Sequence, residues 1–359
     1  MINTWKYRIG ILISLALLVW FLATIEIQEM LNSLLAAQYV YLLPGILLYI
    51  FGVYLRAVRW KLLLNHIKSI NTLKLFSVVT IGYMANNILP FRLGELIRSY
   101  YISETEDISK TTALVSIFVE RILDSITLLF FIAAISLVIP LYTTFNSIEI
   151  SSSIIWKALI IIFSLIFLGS FLVLMFSSFF PEQIRHKSST LIRYIPDRFQ
   201  QRAITLVEYF LEAIKPLRNP RTLGNLFLLS VPIWLLEAGL FTSIAYSFGI
   251  QNNFPGFLQL LIAMTVITSA ANIGSSLPAA PGGIGLFEII TREALILLSI
   301  IPMDRTLAAG FATITHAALL LPMILLGQIF LWTNHVSLKK LSMAGRTKES
   351  PTPSQNTKK

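Results

Sequence analysis

Residues 111–139 read TTALVSIFVERILDSITLLFFIAAISLVI, and they settle the solvent in which this chain folds. Seventeen of them are Leu, Ile, Val or Phe. At about −0.3 to −0.6 kcal/mol each, these favour insertion into a bilayer by roughly 5 to 10 kcal/mol. Glu120, Arg121 and Asp124 interrupt the run. They cost about 2.5 to 3.5 kcal/mol each at the bilayer centre, which cancels most or all of that gain. The triplet must therefore face protein or water rather than lipid. Glu120 and Asp124 share a helix face, and Arg121 reaches Asp124 at three residues' spacing. Two readings stand: a self-neutralising cluster that locks helices together, and part of a polar site.

The rest of the chain agrees about the solvent. Of 359 residues, 55% are hydrophobic and 13% charged, and the mean hydropathy is +0.75. A soluble domain is nearer one-quarter charged, so this chain lacks the polar surface to coat a globule in water. There is no cysteine, which excludes disulfides, thiolate zinc, iron–sulfur ligation and cysteine nucleophiles. The four histidines form no His-x-x-x-His pattern and no Asp-x-Asp is present, so no metal site and no cofactor are expected. The net charge of +10 invites a nucleic-acid partner, but Lys and Arg held in cytoplasmic loops explain it better.

Spanning helices need about 20 mainly apolar residues. Ile9–Ile27, Tyr39–Leu55, Thr111–Ile139, Ile154–Phe179, Asn225–Phe248 and Thr306–Trp332 meet that need. The first follows Lys6 and Arg8 and has no cleavage site after it, so it reads as an uncleaved helix. Arg56, Arg59, Lys61, Lys68 and Lys74 follow the second, and eight Lys or Arg lie between Arg185 and Arg221. The links 28–38, 140–153 and 249–256 contain neither. The positive-inside rule then predicts a multi-pass cell-membrane protein with both termini cytoplasmic. The predicted fold is all-α, with six to eight transmembrane helices plus re-entrant or broken ones. Residues 1–335 form one membrane domain and 336–359 a disordered, basic cytoplasmic tail. A surface helix is expected around Gln201–Leu217.

Parity constrains the shorter apolar stretches. Basic residues flank Leu75–Leu89 on both sides, so it reads as a re-entrant segment, about 22 Å long as a helix. Phe257–Leu277 and Ile284–Ile301 are either two crossings or one re-entrant pair. Polar residues sit at the ends of these stretches. Asn86 and Asn87 precede Pro90, Arg92, Gly94, Glu95 and Arg98, with Glu95 and Arg98 on one helix face. Such arginines suit a phosphate, since the guanidinium fork matches its oxygens; an ordinary loop ion pair is the plainer reading. Asn272 precedes a break containing Pro278, Pro281, Gly282, Gly283 and Gly285, then Glu288, Arg292 and Glu293. A plain turn would look much the same. The break lacks the third glycine of a dinucleotide fingerprint and the Lys-Ser/Thr of a P-loop. Glu237 stands alone in mid-span, a functional candidate by default or an Arg-paired packing residue. His316 reads as a hydrogen-bonded core residue more readily than a ligand.

The two breaks share a grammar: Asn, then Pro, then Gly four residues later (Pro90/Gly94 and Pro281/Gly285), then Glu and Arg. If one enters from each side, the chain holds an inverted repeat, and broken helices at matching places mark transporter sites. Arg56-Ala57-Val58-Arg59-Trp60, the run from Asn87 to Arg98, Glu120-Arg121 with Asp124, and Pro278 to Glu288 together resemble the transmembrane region of lysylphosphatidylglycerol synthases. The resemblance runs from roughly Lys6 to Asn334. In bifunctional members that region is thought to flip an aminoacylated lipid, while a C-terminal soluble domain transfers lysine from charged tRNA. The sequence stops just after the last helix, so the resemblance implies a stand-alone, flippase-like protein and not an enzyme. Its partners would be a membrane lipid, a second copy of itself or a separate lipid-synthesis enzyme. Asn87, Arg92, Glu95, Arg98, Glu120, Arg121, Asp124, Glu237, Asn272, Glu288 and Arg292 would line the path. An intramembrane lipid-linked transferase using Glu120 or Glu237 as base is the rival reading, as is an accessory subunit of a lipid- or glycan-synthesis enzyme.

Overall fold

The computed structural model describes residues 19–20, 23, 26–89, 93–138, 165, 168–194, 196–275, 281–299 and 301–334. Among them there is no strand. Twelve α-helices follow one another: α1 (Ile27–Ala36), α2 (Leu42–Leu64), α3 (Thr72–Ile88), α4 (Gly94–Glu106), α5 (Lys110–Val138), α6 (Leu168–Phe179), α7 (Pro181–Ile192), α8 (Asp197–Ile214), α9 (Pro220–Ser247), α10 (Phe257–Ser275), α11 (Leu286–Leu298) and α12 (Arg305–Thr333). The chain is an all-α, multi-pass membrane protein. With the turn Tyr39–Tyr41 included, α2 is apolar and long enough to cross a membrane, as are α9, α10 and α12. Most of the expected first span and half of the fourth lie outside the described residues. So do Pro90, Arg92, Pro278 and the tail.

Helix α2 corrects one expectation. It was predicted to end at Leu55, with Arg56 and Arg59 in a basic loop; it continues to Leu64 and buries both. Nothing after Leu55 breaks a helix, and the buried face keeps its spacing through Tyr49, Gly52, Val53, Arg56, Trp60 and Leu63. Arginine can continue such a face only because carboxylates meet it there. The surface helix α8 lies close to where it was expected, at Asp197–Ile214 rather than Gln201–Leu217.

Helices α3 and α4 form a hairpin that starts and ends at one level. Lys68 Nζ, just before α3, lies 2.9 Å from the carboxylate of Glu106 at the end of α4. Lys74 in the first turn of α3 bonds the same carboxylate. Those two lysines, Lys74 first, hold the Glu106 carboxyl below its ordinary pKa. The two ends of the pair thus lie together, as a dip and return would require. Between the arms, Gly82 and Gly94 cross so closely that a Cβ on Gly94 would lie 2.0 Å from the Gly82 carbonyl oxygen.

The two halves repeat this plan. Exchanging α2 with α9, α3 with α10, α4 with α11 and α5 with α12 maps the packing onto itself. Helix α2 packs on α3 as α9 does on α10, and α3 on α4 as α10 on α11. Likewise α4 packs on α5 as α11 does on α12, while the cross-contacts α3–α12 and α10–α5 exchange. Helices α2 and α9 make the most extensive interface, face to face across the exchange. The repeat therefore covers whole halves, beyond the two short motifs that suggested it. By the same exchange α10 and α11 correspond to α3 and α4 and pack on each other as those two do. Their connecting turn, Pro281–Gly283, packs on α3, with the Asn87 carbonyl oxygen 3.6 Å from where a Cβ on Gly282 would be.

Candidate functional site

The charges that were costly in lipid meet one another between α2, α4, α5 and α9. Arg59 is fully buried; its Nη2 lies 2.7 Å from Asp124 Oδ1 and 3.9 Å from Glu120 Oε1. Its Nη1 donates to Ser230 Oγ at 2.7 Å. Arg98 donates to Glu120 Oε2 at 2.8 Å and lies over the Trp60 ring at 4.3 Å. Arg56 donates to Glu237 Oε2 at 2.8 Å, with Trp234 on one side of its guanidinium at 4.7 Å. Asn272 Nδ2 donates to the other oxygen of Glu237, also at 2.8 Å. Trp234 Nε1 donates to Asp124 at 3.2 Å. Arg121 Nη2 completes the set, 3.3 Å from Asp124 and 3.4 Å from the Tyr83 hydroxyl.

Four arginines thus face three buried carboxylates, and Glu95 at the tip of α4 makes the fourth. Paired buried ions need not stabilise a fold more than apolar packing would, but removing one partner strands the other at high cost. Arg121 differs from its neighbours. Its side chain is 31% exposed against 5% or less for Arg56, Arg59 and Arg98, and its two contacts are long.

Each break is closed by a side chain that accepts the first N–H of the returning helix. Asn86 Oδ1 accepts from Gly94 N at 2.7 Å, while its amide donates to Glu95 Oε1 at 3.2 Å. Glu288 Oε2 accepts from Gly285 N at 2.7 Å, where φ is +90°. The other oxygen of Glu288 lies 2.6 Å from His316 Nδ1, and His316 Nε2 lies 2.9 Å from the Gly282 carbonyl. Asn87 Nδ2 reaches across to Leu320 O on α12 at 3.4 Å.

Two cavities adjoin at this centre. The first, of about 150 Å³, is polar and lies among Arg56, Asn86, Glu95, Arg121, Glu237 and His316, with the backbone of Gly282 and Gly283 at its wall. The second, of about 660 Å³, is lined chiefly by Leu114, Val115, Ile117, Phe118, Leu128, Phe210 and Ile273. Glu95, Arg121, Trp234 and Asn272 line both.

Of the residues singled out in the sequence, Asn87, Glu95, Arg121, Glu237 and Asn272 line the polar cavity, and Asp124 lines the apolar one. Glu288 reaches the polar cavity through His316. Arg98 and Glu120 line neither; they neutralise each other in the packing core, and Arg98 pairs across to α5 instead of with Glu95. Arg292 is buried beside Glu293, which also holds Arg305. Arg92 lies outside the described residues. Sequence reasoning missed Arg56 and Arg59 as site residues; His316 is the hydrogen-bonded core residue it was read as, and it also lines the polar cavity. The signal for the arginines was available in the unbroken helical phase of α2.

The family model described as "Lysylphosphatidylglycerol synthase TM region" matches residues 8–327. Over 129 residues the chain is 31% identical to the "UPF0104 membrane protein MJ1595" of Methanocaldococcus jannaschii, covering 35% of this chain and 38% of that protein. The match thus spans well under half of that relative's length. No solved structure matches the chain.

Proposed function

Because the chain belongs to the lysylphosphatidylglycerol synthase TM region family, we propose that it moves the polar headgroup of a membrane lipid between leaflets, as a translocator and not as an enzyme. The observation that supports this is the pair of cavities sharing Glu95, Arg121, Trp234 and Asn272. A lipid is itself such a pair, with a charged head joined to an apolar tail. The head would occupy the polar chamber against Arg121, whose long contacts leave it the cation readiest to bond an incoming phosphate. The tail would lie along Leu114, Ile117 and Phe118. In the cell membrane, with both termini cytoplasmic, the α3–α4 hairpin would enter from the cytoplasmic side and α10–α11 from the other.

Reconstitution in liposomes tests the reading. Vesicles carrying trace headgroup-labelled phospholipids and glycolipids are quenched from outside, with and without protein. For at least one lipid, the protein should make the inner-leaflet label accessible. Equal accessibility for every lipid tried would sink the proposal. Arg121→Ala should slow movement by about tenfold or more, the equivalent of about 1.4 kcal/mol lost from one charged hydrogen bond. Folded yield should stay unchanged, because Asp124 keeps Arg59.

Orientation has its own test. Cysteines introduced at Ser147 and Ser188 of this cysteine-free chain should react with an impermeant maleimide from opposite sides of the membrane. Same-side labelling would invert the topology.

A further inference from the structure

The Glu288–His316 pair stands outside the arginine network, and its hydrogen bonds can be counted. His316 Nδ1 meets a carboxylate oxygen at 2.6 Å and Nε2 meets a carbonyl oxygen at 2.9 Å. A neutral imidazole has one N–H to give. If Glu288 were ionised and His316 neutral, one of these contacts would bring two acceptors together. Both contacts are made only when the pair holds one further proton, as imidazolium with carboxylate or as imidazole with carboxylic acid. Either form gives Nε2–H to Gly282 and fills the Nδ1–Oε1 contact.

When that proton leaves, the remaining N–H goes to the stronger acceptor, the carboxylate. The Gly282 carbonyl then loses its donor. Gly282 and Gly283 sit at φ +66° and +76°, in a turn that packs on α3 and forms a wall of the polar cavity. Their conformation depends on what ties them down. The ring itself is held by stacking on Phe287 at 4.3 Å, so the carbonyl, not the imidazole, is free to move.

The two-fold repeat sharpens this. Arg121 and His316 occupy the same place, eleven residues after the first residue of two 29-residue helices that exchange in the repeat. Glu95 and Glu288 both lie in the first turn of the returning arm. One half thus carries a permanent cation where the other carries a ring that can gain or lose a proton. The other titratable or charged groups lining the cavity are Tyr49 and Arg56 on α2, Tyr83 on α3, Glu95 on α4, Arg121 on α5 and Glu237 on α9. Arg56 and Glu237 satisfy each other. Helix α10 brings no ionisable group, and on α11 Arg292 pairs with Glu293, which also binds Arg305.

We propose that Glu288 and His316 form a proton-binding site that latches the Pro281–Gly285 turn against the polar cavity, so that lipid movement is coupled to protonation. The coupling rests on the translocator reading above; the latch does not. Ser275, whose Cβ lies 3.5 Å from where a Cβ on Gly283 would be, reports on the latch. In Ser275→Cys protein, the maleimide labelling rate is divided by that of the unfolded chain at the same pH, which removes thiol ionisation. The ratio should rise about tenfold or more between the acidic and the alkaline end of a scan from pH 5 to pH 9.

Two variants should then move in opposite directions. Glu288→Gln can donate to Nδ1 at every pH and should hold the ratio low throughout. His316→Phe keeps the ring stack but gives Gly282 no donor, and should hold it high. A flat profile with His316 intact, or both variants shifting the same way, overturns the latch. Movement of labelled phosphatidylglycerol in phosphatidylethanolamine–phosphatidylglycerol vesicles is read over the same pH range. Movement that ignores pH while labelling follows it overturns the coupling. A pH-dependent label without movement of any lipid leaves the latch standing and removes the translocator.

Discussion

Glu120→Ala should cost the fold about 3 to 5 kcal/mol, among the largest losses available from a single side-chain truncation in this chain. Glu120 is 1% exposed and receives Arg98 at 2.8 Å, with Arg59 at 3.9 Å. Among the described residues Arg98 meets no second carboxylate; it also lies over the Trp60 ring, and a desolvated cation–π contact is worth about 2 kcal/mol. Truncation therefore leaves a guanidinium 2% exposed with nothing to neutralise it. Arg59 suffers less, because Asp124 still holds it at 2.7 Å.

The contrast between breaking the pair and deleting it is the real test. Replacing both members, Glu120→Leu with Arg98→Met, removes the charges together and should recover most of the loss, since apolar replacement of a buried pair is often neutral. Thermal unfolding of purified protein in detergent, run as a double-mutant cycle, measures both. A single-variant cost under about 1 kcal/mol would mean that water reaches Arg98, and that the buried network is not what joins α4 to α5.

How far the sequence could be read follows from which contacts are local. Glu120, Arg121 and Asp124 were visible because three charges in an apolar run announce their own cost. The Arg121–Asp124 contact, three residues apart, could be named in advance. Local spacing misled at Glu95 and Arg98, which share a helix face yet go to different partners, Asn86 and Glu120. Arg56 meets Glu237 from 181 residues away, and no pattern in either neighbourhood encodes that pairing. Parity of the basic links predicted the first hairpin without any contact information, because a chain cannot leave and return to one side in a single crossing. It could not separate two crossings from a re-entrant pair at α10 and α11, because either choice returns the chain to the same side. The core reading of His316 holds, but its partners were not legible, because one histidine in an apolar helix carries no signal until Glu288 and Gly282 are brought to it.

Gly94→Ala should be worse tolerated than any other glycine substitution in the two hairpins, and the reason is what its Cβ would strike. The new atom would lie 2.0 Å from the Gly82 carbonyl oxygen and 2.5 Å from Asn86 Oδ1. The first is helix backbone and cannot swing aside; the second is the acceptor of Gly94's own N–H. Relief requires α4 to back away from α3 by more than an ångström, and α4 carries Glu95 and Arg98 with it. Overpacking of this kind costs about 1 to 3 kcal/mol when side chains can yield. Here the arms must part and the 2.8 Å Arg98–Glu120 bond must stretch, so the loss should exceed that range. Gly274 in the second hairpin supplies the comparison. A Cβ there would meet Ile290 Cδ1 at 2.1 Å, the far end of a flexible side chain. Gly274→Ala should fall within the overpacking range and be relieved by Ile290→Val. Gly224 on α9 has nothing within 4 Å, so alanine there should gain about 0.5 to 1 kcal/mol from helix preference alone. Unfolding midpoints should therefore rank Gly224→Ala above the unaltered chain, Gly274→Ala below it and Gly94→Ala lowest. If Gly94→Ala unfolded with Gly274→Ala, the α3–α4 crossing would not be the close contact that sets Arg98 against Glu120, and that pair would need another explanation.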